Sequence, residues 1–372
     1  MRRATDPREP LMRRNARRRQ DGCCAVLCIY ILCVCVCLSV GGFLLAPWVF
    51  RPCQHALAEV PDTVHGFLPR TVAFGSCLSN ERPSDLLDNV RADVFVFLGD
   101  NVYADTRSAR TMRWVYNRLS CKAAFQRLVG RIPYVLSIWD DHDYGENDGG
   151  ADYPMRAASQ EIFLDFWRIP AASGRRGKRG VYGSYTFVRG GASVLIVMLD
   201  LRSFRDPLTV CTRVQGWYCP AGNGTMLGDA QWRWLESTLA ASSADLVIVA
   251  SSTQFAADEY GYETWRNFPH EQARLASLLN PNRTVVISGD VHWGEISRTG
   301  DGLYDITSSG ISQLDPEILP NRYRVGAPVV EFNYGVLDLI SMTASVVGES
   351  GERTVVKLDT VRSPFLSPGF LL

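Results

Sequence analysis

The chain has little lysine and no excess of charge of either sign. Only three of its 372 residues are lysine, and 39 Lys+Arg balance 39 Asp+Glu. Proteins that bind nucleic acid by neutralising phosphates usually carry a basic excess, so we expect no nucleic acid as a partner. Charged residues make up only 21% of the chain, against 46% hydrophobic residues, which argues against a mainly disordered protein. No internal repeat is present.

The zero net charge is the sum of two unlike parts. The first 22 residues carry eight Arg and three acids, a net of +5, and the remaining 350 carry a net of −5. Cys23–Phe50 follows the basic part and contains 28 residues without a charge. About 20 helical residues cross a hydrocarbon core of about 30 Å. We therefore predict a basic cytosolic tail at 1–22 and one N-terminal transmembrane helix, a signal anchor, at 23–50.

The charge around the apolar segment predicts its orientation. Arg residues cluster before it and only Arg51 lies just after it, so the positive-inside rule places the N-terminus in the cytosol. The chain would be a type II membrane protein with an extracellular or lumenal domain, at the cell surface or in the secretory pathway. The alternative is a cleaved signal peptide, whose apolar region is normally about 7–15 residues. Both alternatives place the domain outside the cytosol, and the glycosylation sequons at Asn223 and Asn282 agree with that.

The remainder of the chain alternates apolar runs with helical patterns. We interpret 51–70, with three prolines, as a short stem and 71–372 as one catalytic domain of the α/β class. The predicted strands are 71–75, 94–98, 134–138, 185–188, 193–199, 246–250, 284–288, 303–307, 336–342 and 354–358. The predicted helices are 111–129, 156–167, 230–241 and 270–280.

Several apolar runs end abruptly in acids, histidine or cysteine. They are FGSC at 74–77, FLGDNVY at 97–103, SIWDDHD at 137–143, MLDLR at 198–202 and ISGDVHW at 287–293. A single Asp at a strand end is most often a turn or a helix cap. Ligands of open α/β sheets, however, bind beyond the carboxyl ends of the strands. The whole set therefore predicts a binding site at that edge.

The residue types in these runs indicate metal ions. Together they supply three carboxylates, a phenol, a thiol and imidazoles: Asp100, Asp141, Asp290, Tyr103, Cys77, His142 and His292. Such a cluster repels itself unless cations lie within it. Carboxylates suit hard ions such as Ca²⁺, Mg²⁺ or Mn²⁺, whereas a phenolate beside a thiolate suits Fe³⁺. We predict a binuclear centre of two unlike metals that share a carboxylate, Fe³⁺ with Ca²⁺, with Mn²⁺, Mg²⁺ or Zn²⁺ as alternatives.

Two such cations define a reaction class. At about 3.5–4 Å apart they would hold a bridging hydroxide and stabilise the attacking and leaving oxygens of an in-line displacement at phosphorus. The sequence therefore predicts hydrolysis of a small phosphate ester.

The ordered motifs resemble a known family. GDNVY, WDDHD and GDVHW look like the motif order of the calcineurin-like metallophosphoesterase superfamily, and the Cys, Asp-Asp-His and GDVH variants resemble its alkaline phosphatase D (PhoD-like) family. FGSC, LDLR and TSSG at 307–310 add to the resemblance, which runs from about residue 71 to about residue 340. It implies phosphomonoesterase or phosphodiesterase activity and a metallophosphatase-like four-layer α/β/β/α sandwich.

The resemblance also implies metal ligands at the matching positions. Asp100 resembles the bridging ligand. Cys77 and Tyr103 look like ligands of the ferric ion, with His292 or Asp290 completing that set.

Further roles follow from the same resemblance. Asp141 and Asp290 look like ligands of the second ion. His142 matches the histidine that faces the substrate and stabilises or protonates the leaving oxygen. Arg202 looks like a guanidinium clamp on the phosphate; a buried structural arginine paired with Asp200 is the alternative.

The sequence also departs from the family pattern. Bacterial members carry an N-terminal β-sandwich domain, which we expect to be absent here. Asp140, Asp143 and Asn101 flank ligand positions and leave the register open. Ser252 or Gln254 lies where the superfamily often has another histidine ligand. A non-catalytic, membrane-anchored binding ectodomain on the same fold is the alternative function.

Five of the 11 cysteines lie outside the apolar segment. If Cys77 binds metal as a thiolate, the other four can pair. We predict a local disulfide between Cys211 and Cys219, and a second between Cys53 and Cys121.

Overall fold

The computed structural model describes residues 53, 57–79, 81–82, 84–212, 217–258, 261–315 and 317–366. The chain divides into two units, Met1–Cys53 and Gln54–Leu372, and the account below concerns the second. The predicted basic tail and transmembrane helix lie outside the described residues. Within the described ranges, no helix is both long enough and apolar enough to cross a membrane.

The described residues form fifteen strands and six α-helices. The strands are β1 Thr63–His65, β2 Thr71–Gly75, β3 Val94–Leu98, β4 Tyr134–Ile138, β5 Gly183–Arg189, β6 Ala192–Met198, β7 Thr209–Val210, β8 Tyr218–Cys219, β9 Leu246–Ala250, β10 Thr284–Ser288, β11 Gly294–Arg298, β12 Tyr304–Ser308, β13 Asn333–Asp338, β14 Thr343–Gly348 and β15 Arg353–Lys357. The helices are α1 Ala109–Ser120, α2 Ala123–Arg131, α3 Asp141–Tyr144, α4 Arg156–Phe166, α5 Gly228–Ala241 and α6 Pro269–Leu278.

Two mixed sheets carry most of the strands. The larger has the order β1-β5-β6-β9-β10-β12-β11, and its four strands β6, β9, β10 and β12 run parallel to one another. The smaller has the order β15-β14-β13-β2-β3-β4, in which β2, β3 and β4 are parallel. Parallel neighbours end at the same edge of a sheet, so the segments that follow these strands gather there.

Three apolar clusters hold the sheets and helices together. One lies between the sheets and joins Val96 of β3 to Ile248 of β9. The opposite face of β3 presents Phe97 to helices α1, α2 and α4, where it contacts Phe125. A third cluster packs α5, through Leu235, and α6 onto the outer face of the larger sheet. Strands buried on both faces explain the uninterrupted apolar runs of the sequence.

Most predicted elements agree with the structure, and the mixed α/β class is confirmed. The predicted helix 111–129 is divided into α1 and α2, because the chain is extended at Lys122, whose Nζ donates to the backbone oxygens of Ser79 and Arg82. The predicted strand 336–342 ends early, since the Asp338 carboxylate accepts the next backbone N–H groups and forms a turn. Strands β11 and β14 were not predicted. β1 lies within the predicted stem and pairs with β5.

The cysteine predictions are partly confirmed. Cys211 and Cys219 form a disulfide, which closes the β7–β8 hairpin. Cys53 and Cys121 are each disulfide-bonded, while their pairing with each other stays a prediction. Cys77 is a free, fully buried thiol, as the metal-ligand interpretation requires.

Candidate metal centre

The predicted ligands follow the carboxyl ends of strands from both sheets. Cys77 comes two residues after β2, Asp100 two residues after β3, and Asp141 opens α3 just beyond β4. From the larger sheet, Asp290 and His292 follow β10. The two sheets therefore deliver their ligands to one place from opposite sides.

The backbone at these positions is strained. Cys77, Asp100, Asp290 and His292 have φ angles of 62°, 48°, 79° and 64°. Positive φ is uncommon for residues other than glycine and costs on the order of 1–3 kcal/mol when the surrounding structure enforces it. Four of the eight non-glycine residues with positive φ in the described chain are thus predicted ligands. At this site the surrounding packing therefore holds the backbone in unfavourable conformations.

One group of ligand atoms centres on Cys77. Ligand atoms of Cys77, Asp100 and His292 all lie within 4.8 Å of one another. The Tyr103 hydroxyl is 3.3 Å from Asp100 Oδ2 and 3.3 Å from His292 Nε2. Cys77 Sγ is 3.1 Å from Ser309 Oγ, which fixes the orientation of the thiol. His292, rather than Asp290, completes this group.

A second group consists of carboxylates. Oxygens of Asp100, Asp140, Asp141 and Asp290 lie within 4.8 Å of one another. The Asp141 carboxylate is held by the backbone N–H groups of His142 (2.9 Å) and Asp148. Asp100 belongs to both groups, which is the placement expected of a ligand shared by two ions.

His142 lies on the wall of the same site. Its Nδ1 is 2.7 Å from Asp105 Oδ1, which leaves Nε2 as the ring nitrogen available to a ligand. Its ring centroid is 4.1 Å from that of Tyr103. Burial lowers the pKa of His142, but the hydrogen bond to Asp105 and the charge of Asp141 outweigh it, and the net pKa is raised.

Arg202 is placed differently from the predicted phosphate clamp. It is 1% exposed and does not line the cavity. Its Nε lies 2.6 Å from Asp140 Oδ1 and its Nη1 pairs with Glu263. Only its backbone N–H contacts Asp200. A direct phosphate contact would require the guanidinium to leave both carboxylates, so the structure places Arg202 in a buried ion-pair network.

The site needs positive charge to be ionised. Burial raises the pKa of the Cys77 thiol to about 12, despite hydrogen bonds from Ser309 and Ser76 that lower it. Burial and the charges of neighbouring acids raise the pKa of Asp100, Tyr103 and Asp290 well above their usual values. Cations would reverse these shifts.

The donor set fits two cations. Thiol, phenol, imidazole and carboxylate form one group, while the other contains only carboxylates, and the groups share one residue. In addition, Asp140 Oδ2 is buried and has no hydrogen-bond partner among the described residues. Buried polar atoms are normally satisfied, so an oxygen without a partner on a residue whose carboxylate lies close to three others fits an ion.

The site opens into a cavity of about 320 Å³. Its lining in the described chain is Asp100, Asp141, His142, Asn147, Asp148, Tyr218, Gly261, Tyr262, Glu263, Asp290, Val291, His292 and Asp315. Tyr218 belongs to the disulfide-closed hairpin and donates its hydroxyl to Asp148. The hairpin therefore forms part of the wall that a substrate would contact.

Sequence reasoning missed several residues of the site. Asp105 orients His142 and lies just two residues after the GDNVY motif, which was the available signal. Ser309 lies in the TSSG segment, but nothing in the sequence indicated contact with Cys77. Glu263 lies in a segment without a recognised motif, so the sequence offered no signal for it. Gln254 donates to Glu295 and Thr307 and lies outside both ligand groups.

Replacement of Asp100 by Asn should stabilise the metal-free protein and destabilise the metal-bound protein. Asn tolerates the positive φ and removes one buried charge from a repelling group. Without metal at pH 7–8, we expect the variant to be more stable by on the order of 1 kcal/mol, about 2–4 °C in Tm. With metal bound, it should be less stable than wild type. Thermal unfolding with and without chelator measures both.

The stability gain of the metal-free Asp100→Asn variant should depend on pH. The folded-state pKa of Asp100 is raised, so the cost of burying it grows as pH rises above its unfolded value of 3.8. The gain of the metal-free Asp100→Asn variant should therefore shrink toward zero as pH falls to about 4. A change of equal sign with and without metal would contradict the assignment of Asp100 as a metal ligand.

Comparison with known proteins agrees with this geometry. The family model of the PhoD-like phosphatases matches residues 84–313, more than half of the chain. The structure of PhoD is similar at 18% identity with a TM-score of 0.63, covering 81% of this chain and 69% of that chain, which supports the fold. GAP50, the anchor in the inner membrane complex of Plasmodium, is 14% identical with a TM-score of 0.48, covering 80% of this chain and 92% of its own.

A dimetal phosphatase from Danio rerio is 14% identical with a TM-score of 0.47, covering 78% of this chain and 100% of its own. No curated protein matches the chain. The match to the family model, over the segment that contains most of the metal-ligand motifs, decides the assignment: the chain belongs to the PhoD-like phosphatase family and is a phosphoric ester hydrolase.

Proposed function

We propose that this protein hydrolyses phosphate monoesters, phosphodiesters or both at a binuclear metal centre that faces the extracytoplasmic side of a membrane. The observation that carries the proposal is the pair of groups of potential ligands that share Asp100, a residue that lines the cavity. A shared carboxylate is the arrangement that holds two cations close enough to act on one phosphorus.

The protein and the ions would divide the chemistry between them. When bound, the two cations would activate water as a nucleophile and neutralise charge on the phosphate. The chain contributes orientation: backbone N–H groups of His142 and Asp148 fix Asp141, and Ser309 fixes Cys77. These two residues are thus held before substrate arrives, which lowers the cost of reorganisation during the reaction.

His142 is our candidate for the residue that assists the leaving oxygen. It lines the cavity, and Asp105 holds its Nδ1 at 2.7 Å. A histidine held by a carboxylate has a fixed ring orientation and presents its other nitrogen to the substrate. Protonation or hydrogen bonding of the leaving oxygen from Nε2 is the role that this geometry favours.

We propose Fe³⁺ at the group of Cys77, Asp100, Tyr103 and His292, and Ca²⁺ at the carboxylate group, with Mn²⁺, Mg²⁺ or Zn²⁺ as alternatives. The support is chemical. A buried phenol with a raised pKa ionises only beside a strongly charged ion, and oxygen-only groups suit hard divalent ions.

The ferric assignment predicts a coloured protein. Purified full-length chain should show a visible phenolate-to-iron charge-transfer band, and Tyr103→Phe should abolish it while elemental analysis still detects iron. Tyr144→Phe, a buried phenol bonded to a backbone oxygen, is the matched control and should keep the band. A colourless wild-type protein that contains only zinc would refute the ferric assignment.

Chelation and loss of His142 should each impair catalysis. We expect the full-length chain in detergent to hydrolyse p-nitrophenyl phosphate or bis(p-nitrophenyl) phosphate, and chelator to abolish the activity. His142→Asn should lower kcat by about 10²–10⁴-fold, as for loss of a general acid. Release of p-nitrophenol and the metal content measure the two effects separately.

His270→Asn is the matched control, because His270 is an exposed histidine bonded to the Gly224 carbonyl. Its activity should equal that of wild type. Inhibition by vanadate would support attack at phosphorus. If fully metallated wild-type protein hydrolyses neither ester, the proposed activity is refuted.

We propose that an N-terminal helix at 23–50 anchors the chain and that the phosphatase domain, a four-layer α/β/β/α sandwich, lies in the lumen or outside the cell. The disulfide between Cys211 and Cys219 supports an oxidising compartment. Both sequon asparagines, Asn223 and Asn282, are exposed, so neither is hidden from a glycosyltransferase.

This location predicts glycosylation. Full-length chain expressed in a secretory host should resist carbonate extraction and lose mass upon glycosidase treatment. Asn223→Gln and Asn282→Gln should each remove one glycan, while Asn147→Gln, at an exposed asparagine outside any sequon, should not. Unmodified protein released into the soluble cytosolic fraction would contradict the proposed topology.

A further inference from the structure

Asp140 adjoins the predicted ligands and has not been assigned a role. It is 1% exposed, and one of its oxygens lies within 4.8 Å of ligand oxygens from Asp100, Asp141 and Asp290. Gly99 makes this approach possible, because a Cβ at Gly99 would lie 2.5 Å from Asp140 Cβ. In the GDNVY motif after β3, Gly99 therefore allows Asp140 to lie close, and the residue that follows it is Asp100 itself.

The two oxygens of Asp140 have different surroundings. Oδ1 accepts hydrogen bonds from Arg202 Nε at 2.6 Å and Ser252 Oγ at 2.6 Å, and Arg202 Nη2 is 2.5 Å away. Oδ2 is buried and has no hydrogen-bond partner among the described residues. A buried carboxylate oxygen without a partner is costly, and a cation satisfies it as well as a hydrogen-bond donor does.

The ion-pair network behind Asp140 orients it. Arg202 joins Asp140 to Glu263, and Arg205 Nη2 lies 3.2 Å from Glu263 Oε1. Two buried arginines thus balance two buried acids, Asp140 and Glu263, the second of which also lines the cavity. Because a guanidinium fork has fixed geometry, it determines which Asp140 oxygen remains free.

We propose that Asp140 is a further metal ligand, which presents Oδ2 to the ion held by Asp141 and Asp290, and that Arg202 and Ser252 are positioning residues that hold its Oδ1. This inference rests on the proposed binuclear centre. It gives the second ion a fourth acidic ligand beside Asp100, Asp141 and Asp290, and gives Arg202 a role that needs no contact with phosphate.

The test measures binding of Ca²⁺ and Mn²⁺ rather than activity alone. Full-length protein is freed of its weaker ion with a calcium chelator, and each cation alone is titrated calorimetrically. Asp140→Asn should weaken Ca²⁺ binding at least tenfold, and its visible charge-transfer band should match that of wild type. Asp305→Asn is the matched control. Asp305 is a buried acid whose oxygens accept hydrogen bonds from Ser288 and two backbone N–H groups. Its replacement should leave the Ca²⁺ dissociation constant unchanged.

Ser252→Ala keeps the test decisive if Asp140→Asn fails to fold. It removes one hydrogen bond to Oδ1 and no charge, and should weaken Ca²⁺ binding about two- to tenfold, at the low end of the range for groups that orient ligands. Unchanged dissociation constants in a folded Asp140→Asn, or in Ser252→Ala where the former is unfolded, overturn the inference. If wild type hydrolyses aryl phosphate and binds the cations while these variants match it, only the Asp140 assignment fails. If wild type neither binds cations nor hydrolyses, the proposed function fails with it.

Discussion

The main physical constraint on this structure is the mutual repulsion of the acidic groups gathered around Asp100. In the absence of cations, burial and neighbouring charge oppose the ionisation of Asp100, Tyr103 and Asp290. The fold forces these groups together in spite of this, through strands from two sheets that end at a common place. The same repulsion that costs stability without metal provides the driving force for metal binding.

The strained residues of the site follow strands in the interior of the two sheets. Cys77 and Asp100, in left-handed backbone conformations, follow central strands of the smaller sheet, and Asp290 follows an interior strand of the larger. Strain of this kind persists only where surrounding packing over-determines the backbone. Three apolar clusters therefore hold the strands that carry these residues, while local hydrogen bonds such as that between Ser309 and Cys77 orient the side chains.

Sequence reasoning succeeded where one strand and the loop after it contain the whole signal. The apolar runs before Asp100, Asp141 and Asp290 predicted both the strands and the edge at which these three carboxylates meet. It failed where two distant segments determine the contact. Arg202 follows a strand like the ligands do, yet its partner Glu263 lies in a loop with no periodicity, so a buried ion pair could not be distinguished from a phosphate contact. Lys122 likewise broke a predicted helix through contacts with a loop about 40 residues away.

The burial of Cys77 also limits how readily its thiol exchanges with a disulfide. Disulfide exchange proceeds through the thiolate, and a thiol with a pKa near 12 is ionised to only about one part in 10⁵ at pH 7. In the folded protein Cys77 is therefore a poor partner for disulfide exchange, whereas Cys211 and Cys219 are joined in the β7–β8 hairpin. The packing that buries Cys77 thus protects its thiol from oxidation even when no cation is bound.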